Sequence, residues 1–151
     1  MKILFSGTPY IAVPALEAIA EKHTVTGVLT NPDRPKGRGK KLVPTPVKEK
    51  AAQLGLETIE CTKIGTAVRE AVKAKGADLL VVAAFGKIFD KDFLDLFPKG
   101  GINLHPSLLP KYRGPSPIPA AILEREEQTG VTVQQLALKM DSGDILTQEI
   151  I

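Results

Sequence analysis

Six consecutive apolar residues, Leu79-Leu80-Val81-Val82-Ala83-Ala84, constrain this chain most. A strand with one face in water alternates apolar and polar side chains. An unbroken run fits a strand covered on both faces, as in a parallel sheet between helix layers. The flanking sequence agrees. Lys2 to Ser6 and Thr24 to Leu29 read as strands, separated by a helical pattern over Ile11 to Glu21 with Val13, Leu16, Ile19 and Ala20 on one side. Pro46 to Leu54 is predicted helical, with Thr45 as N-cap, Pro46 at the first position and Gly55 as the stop. Glu57 to Cys61 reads as a short strand, Thr66 to Lys75 as a helix stopped at Gly76, and Lys91 to Leu96 as one or two helical turns. Gly101 to Leu104 is a strand, Ile118 to Arg125 a helix, and Val131 to Leu138 and Ile145 to Ile151 two final strands. This order predicts an α/β fold: a Rossmann-like, mostly parallel sheet with helices on both faces and right-handed crossovers. Functional residues are then expected past the carboxyl ends of the strands.

The 151 residues are 43% hydrophobic and 25% charged, which supports one folded domain and excludes global disorder. No apolar run approaches the roughly 20 residues of a membrane span. The N-terminal run is broken by Gly7 and Pro9 and reads as a strand, not a signal peptide. A single cysteine, Cys61, rules out an intrachain disulfide, and with two histidines it leaves too few ligands for a zinc site. No metal, no membrane and a cytoplasmic, reducing setting are the expectations. Cys61 reads as a half-buried strand residue, and His23 as a surface or capping residue. Ser6-Gly7-Thr8-Pro9-Tyr10 after the first strand is not G-x-G-x-x-G, and no Walker loop is present, so nucleotide sites gain little support. The sequence stops at Ile151 inside a strand pattern, which reads as a piece of a longer protein.

Charge is uneven. Asn31 to Lys50 holds seven cations against Asp33 and Glu49, whereas the whole chain has 20 basic and 17 acidic residues. Five of the cations, Arg34, Lys36, Arg38, Lys40 and Lys41, fall within eight residues and are spaced by Pro35, Gly37 and Gly39. On charge alone this is either a solvated, mobile loop or a contact for a polyanion.

The chemistry concentrates between Asn103 and Asp141. Asn103 and His105 are two apart, so on a strand they share a face, and Pro106 ends that strand. An amide donor beside an imidazole suits acyl-type transfer, the amide for an oxyanion and the ring for a proton. The same pair at a strand end also fits a hydrogen-bonded turn. Lys139-Met140-Asp141-Ser142-Gly143-Asp144 is a turn sequence, and Asp141 is either a turn former or a carboxylate that orients His105.

Asn103-Leu-His105-Pro-Ser-Leu-Leu-Pro110-x-Tyr-Arg-Gly114, followed by Asp141-Ser-Gly143, closely resembles the folate-dependent formyltransferase family. The resemblance covers essentially the whole chain. It implies that Asn103, His105 and Asp141 are catalytic and that 10-formyltetrahydrofolate is the formyl donor. It also implies that Ser107, Leu108, Leu109 and Pro110 contribute to the folate site. Val82 to Ile88, with Phe85, Gly86 and Ile88, looks like the loop that holds the pterin ring largely through backbone groups. Asn31-Pro-Asp-Arg-Pro-Lys-Gly-Arg-Gly-Lys-Lys41 is similar to the loop inserted after the second strand in the members that formylate initiator methionyl-tRNA. Arg34, Lys36, Arg38, Lys40 and Lys41 are thereby expected on tRNA. Family members of this kind continue past a position like Ile151, completing an N-terminal catalytic domain and adding a small β-barrel domain.

The reaction so implied is formyl transfer to the methionine amine of the initiator tRNA. Asn103 would stabilise the oxyanion, His105 move the proton, and Asp141 set the tautomer and basicity of His105. A formyltetrahydrofolate hydrolase or a small-amine formyltransferase would use the same three residues, but neither needs a cationic strip. A basic RNA-binding domain leaves Asn103 and His105 unexplained. A serine hydrolase at Ser107 lacks the G-x-S-x-G elbow. Lys111 and Arg113 are further candidates for the folate tail or tRNA, or are simply solvated.

Overall fold

A computed structural model describes residues 1–151. The strands are β1 (Lys2–Gly7), β2 (Thr24–Thr30), β3 (Arg34–Lys36), β4 (Lys41–Val43), β5 (Thr58–Glu60), β6 (Leu79–Ala83), β7 (Gly101–His105), β8 (Gly130–Gln135) and β9 (Ile145–Ile150). The helices are α1 (Val13–Lys22), α2 (Pro46–Gln53), α3 (Thr66–Ala74), α4 (Lys91–Leu94) and α5 (Pro117–Leu123), with one 3-10 turn at Tyr10–Ala12. Seven strands form one sheet in the order β5-β2-β1-β6-β7-β8-β9. The first five are mutually parallel, and β8 and β9 add antiparallel.

Each central strand divides its side chains between two cores. Ile3, Phe5, Val81 and Ala83 join Val13, Leu16, Val47 and Ala51 of α1 and α2 on one face. Leu4, Leu80 and Val82 join Val72, Phe93 and Phe97 on the other. The unbroken apolar run at β6 is therefore buried on both sides, as its composition requires. Burying each of Phe5, Leu4 and Leu80 stabilises the fold by about 2 kcal/mol. Phe85, Phe89, Phe93 and Phe97 recur every fourth residue and form a column with ring centroids 5.6, 4.8 and 5.7 Å apart.

Local signals act as their chemistry dictates. The Thr45 hydroxyl accepts the Lys48 N–H at 3.1 Å and caps α2, and Gly55 follows the helix at φ +69°. The Asp90 carboxylate accepts the Phe93 N–H and caps α4. His23 is the exposed C-cap of α1, whereas Cys61 is fully buried rather than half-buried, and that burial pushes its thiol pKa up.

One expectation is corrected. The basic segment is not an irregular loop: β3 and β4 pair antiparallel as a ribbon, Arg34 opposite Val43 and Lys36 opposite Lys41. The four residues between them close the turn with Gly37 at φ +75° and Lys40 at φ +48°.

The chain order reverses beside β1: β2 and β5 lie to one side, β6 and β7 to the other. That switch point opens a crevice at the carboxyl ends of β1, β6 and β7, the general ligand position of such sheets.

Candidate active site

A cavity of about 660 Å³ fills this crevice. Thr8 and Pro9 line it from beyond β1, Ala84 to Phe89 from beyond β6, and Asn103 to Pro106 from the end of β7. Gln134 to Leu138, Met140 and Asp141 complete it from the other side of β7. Asn103, His105 and Asp141 thus share one cavity.

Asp141 reaches His105 through a tight turn. Gly143 makes that turn possible, because a Cβ there would lie 1.7 Å from the Gln135 carbonyl oxygen. Asp141 itself adopts φ +50°. Its Oδ1 accepts from Gln134 Nε2 at 2.8 Å, and its Oδ2 accepts from the Gly114 N–H at 2.8 Å. Oδ1 also lies 3.6 Å from His105 Nδ1, and both side chains are more than nine-tenths buried.

His105 Nε2 is 2.8 Å from the Tyr112 carbonyl oxygen. A carbonyl only accepts, so Nε2 is the donor in that bond, and Nδ1 is the ring nitrogen that faces Asp141. The ring is thus contacted on both nitrogens, by the Tyr112 carbonyl and by Asp141. Tyr112 sits at φ +57°, and its hydroxyl donates to Glu126 at 2.6 Å. That bond pushes the phenol pKa up to about 12. Glu126 is held below the usual carboxylate range by Tyr112 and then by Lys111, 2.9 Å away. Lys111 is thereby engaged in an ion pair, while Arg113 is exposed.

Phe85, Gly86 and Ile88 line the cavity. From Gly86 to Phe89 the backbone N–H and C=O groups make no hydrogen bond within the chain, so polar main chain faces a partly apolar crevice. Ser107, Leu108, Leu109 and Pro110, expected at the folate site, follow the cavity-lining Pro106 but do not themselves line this cavity. Ser107 is fully buried and its hydroxyl donates to the Lys111 carbonyl at 2.6 Å. The Leu109 N–H donates to Thr132 Oγ1, and the Leu109 carbonyl accepts from Gln148. Leu108 lines a separate cavity of about 340 Å³. These bonds fix the loop between His105 and Gly114, and they commit the Ser107 hydroxyl to the Lys111 carbonyl.

The sequence profile of the Formyl transferase family matches residues 1–151.

The chain belongs to the formyl transferase family.

It is 48% identical over 148 residues to the methionyl-tRNA formyltransferase of Borrelia hermsii, covering 98% of this chain and 48% of that protein. It is 49% identical over 148 residues to the methionyl-tRNA formyltransferase of Ruminiclostridium cellulolyticum, covering 97% and 47%. The chain spans about half the length of these relatives. The phosphoribosylglycinamide formyltransferase of Streptococcus pneumoniae superposes with a TM-score of 0.78 at 24% identity, covering 99% of this chain and 81% of that one. A sugar 3N-formyl transferase, solved in the presence of 5-N-formyl-THF, gives 0.68 at 22%, covering 100% and 52%. At these identities the two structures establish the fold alone.

Beside the cavity of this formyl transferase chain stands the basic ribbon. Arg34, Lys36, Arg38, Lys40 and Lys41 are all exposed, and none joins an ion pair. Asp33 at the ribbon's base is taken by Lys48 at 2.8 Å, and Lys48 also pairs with Glu60. Those two hydrogen bonds raise the Lys48 pKa. The ribbon's charge is consequently undiluted, and Arg34 also lines the cavity.

Several residues of the site carry no motif. Asn31 donates to Thr8 Oγ1 and the Phe85 carbonyl, at 2.8 and 3.1 Å, and accepts from Lys87, tying the ends of β1, β2 and β6 together. Gln134 and Thr132 are buried on β8, opposite Asn103 and His105. Their signal is an inverted alternation in Val131-Thr132-Val133-Gln134, with the polar residues on the buried face.

Proposed function

We propose that this chain carries the formyl-transfer site of an enzyme that passes the formyl group of 10-formyltetrahydrofolate to the α-amine of methionine on initiator methionyl-tRNA, in the cytoplasm. One observation carries the reading: an Asn103, His105 and Asp141 cluster on a large cavity, with five unpaired cations on an adjoining ribbon. Relatives at 48 and 49% identity bear the corresponding name.

The folate supplies the formyl group and leaves through N10. The crevice suits it: Phe85 and Ile88 offer apolar contact, and the unpaired backbone from Gly86 to Phe89 offers donors and acceptors to a pterin ring. Asn103 donates its amide N–H to the oxyanion that forms when the amine adds to the formyl carbon. His105 Nδ1 takes the proton that the attacking amine loses, and Asp141 stabilises the resulting imidazolium. His105 then returns that proton to the departing N10, so protons balance within the site. Ser107 to Pro110 act one step back, by fixing the loop that carries the Tyr112 carbonyl. The ribbon binds phosphates of the tRNA.

The test supplies labelled 10-formyltetrahydrofolate to the gene's full-length product with three acceptors: initiator methionyl-tRNA, glycinamide ribonucleotide and water. Label on the tRNA amine is the expected result. Label on the small amine, or release as formate alone, contradicts the acceptor.

A further inference from the structure

Gln134 is 2% exposed, in the middle of the antiparallel register between β7 and β8. Its direct cross-strand partner is Asn103. Directly paired residues of an antiparallel ladder stand with Cβ atoms about 5 Å apart on the same face. Gln134 Nε2 donates to Asp141 Oδ1 at 2.8 Å. Because a carboxylate only accepts, the amide orientation is fixed and Oε1 points away from Asp141. That Oε1 is buried and has no hydrogen-bond partner. A buried acceptor left unpaired is destabilising, so a retained one needs a reason.

We propose that Gln134 is a positioning residue that links the oxyanion donor to the carboxylate: Nε2 holds Asp141 in place, and Oε1, unpaired in this structure, accepts one N–H of Asn103 when the other N–H of that amide engages the reacting oxygen. The proposal rests on the formyl-transfer reading above. Asn103 has two amide protons and no hydrogen-bonded side-chain partner, and only one proton is needed for an oxyanion. An amide free to rotate aligns its donor only part of the time. Tying the second N–H to Gln134 as the substrate binds fixes the plane of the group for the step in which the oxyanion forms. The same glutamine then sets the relative position of Asn103 and of the Asp141–His105 pair.

The test compares Gln134→Met, which keeps the side-chain volume and removes both hydrogen bonds, with the unmodified full-length protein. Expected is a fall in kcat of roughly 10- to 100-fold, with KM for the folate within about twofold. The double variant Gln134→Met with Asn103→Ala loses less than the product of the two single losses, since the glutamine acts in part through that amide. In ¹⁵N-labelled protein with 10-formyltetrahydrofolate bound, the Asn103 side-chain amide signals, assigned by their loss in Asn103→Ala, move in Gln134→Met. A second variant, Gln134→Glu, places a carboxylate beside Asp141. It is nearly inactive at neutral pH and regains activity as the pH falls and the introduced group takes up a proton. A Gln134→Met protein with kcat within twofold, a double variant whose losses multiply, or unmoved Asn103 signals overturn the proposal. An unmodified protein that transfers no formyl group overturns the function reading instead, while the amide signals still decide the link between Gln134 and Asn103.

Discussion

The Asp141 carboxylate lies 3.6 Å from His105 Nδ1 because both of its oxygens are already held, one by Gln134 Nε2 and the other by the Gly114 N–H. Asp141 is thus fixed independently of the ring it faces. The ring is fixed separately by the Tyr112 carbonyl. The two groups therefore face each other at ion-pair distance, each held by its own anchors.

Asp141→Asn tests that reading. The charge is lost, and an imidazolium at His105 loses its counter-ion. Steady-state kinetics on the full-length protein should give kcat lowered at least about tenfold, with KM for the folate nearly unchanged. An unchanged kcat means that Asp141 is only a turn residue.

Gly143→Ala should damage the site from a distance. The new Cβ meets the Gln135 carbonyl oxygen at 1.7 Å, so the turn that carries Asp141 must shift. Forced overpacking of this kind costs about 1–3 kcal/mol. Chemical denaturation should show that loss, and the transfer rate should fall with it. Unchanged stability and rate together would mean that the turn relaxes freely.

The ribbon cations should act on tRNA and not on folate. Arg38→Ala and Lys40→Ala should each reduce the slope of log affinity against log salt by about one, with tRNA binding weakened and folate KM unchanged. Filter binding over a range of salt concentrations measures the slope. Variants with the unmodified slope would mean that these cations are only solvated.

A pH dependence follows from Asp90. Arg69 grips its carboxylate at 2.9 and 2.6 Å and the Phe93 N–H adds a cap bond, holding its pKa down to about 2. A lowered folded-state value favours the charged form in the fold. The stabilisation is therefore present above the ordinary carboxylate pKa of 3.8 and is lost as the pH falls toward 2. Urea midpoints of the unmodified protein and Asp90→Ala should differ at pH 6 and converge near pH 2. A difference that stays constant with pH contradicts the linkage.

Much of the fold was legible because its strongest signals are local. The apolar run at Leu79–Ala84 fits a doubly covered strand, and Thr45 and Gly55 cap a helix by short-range chemistry. Asn103 and His105 were legible as a pair for the same reason, since a strand puts alternate residues on one face. What remained hidden depends on contacts between distant segments or on the main chain. Spacing does not show that Asp141 faces His105, and no side-chain code reports that the Tyr112 carbonyl holds the ring. The ribbon was hidden because its glycines, proline and cations have loop composition. Its pairing depends on a four-residue turn with Lys40 in the left-handed region. The Ser107–Pro110 motif marked a place without an orientation. The bonds from Ser107 to Lys111 and from Leu109 to Thr132 that hold it are not written in its side-chain pattern.

The most direct test of the account is the fate of labelled formyl in the full-length protein and in His105→Ala, with initiator methionyl-tRNA as acceptor. The account predicts label on the methionine amine and a loss of at least about a hundredfold in the variant, the ordinary size of a lost general acid–base group. Transfer by His105→Ala at the unmodified rate would contradict the central role assigned to this cavity.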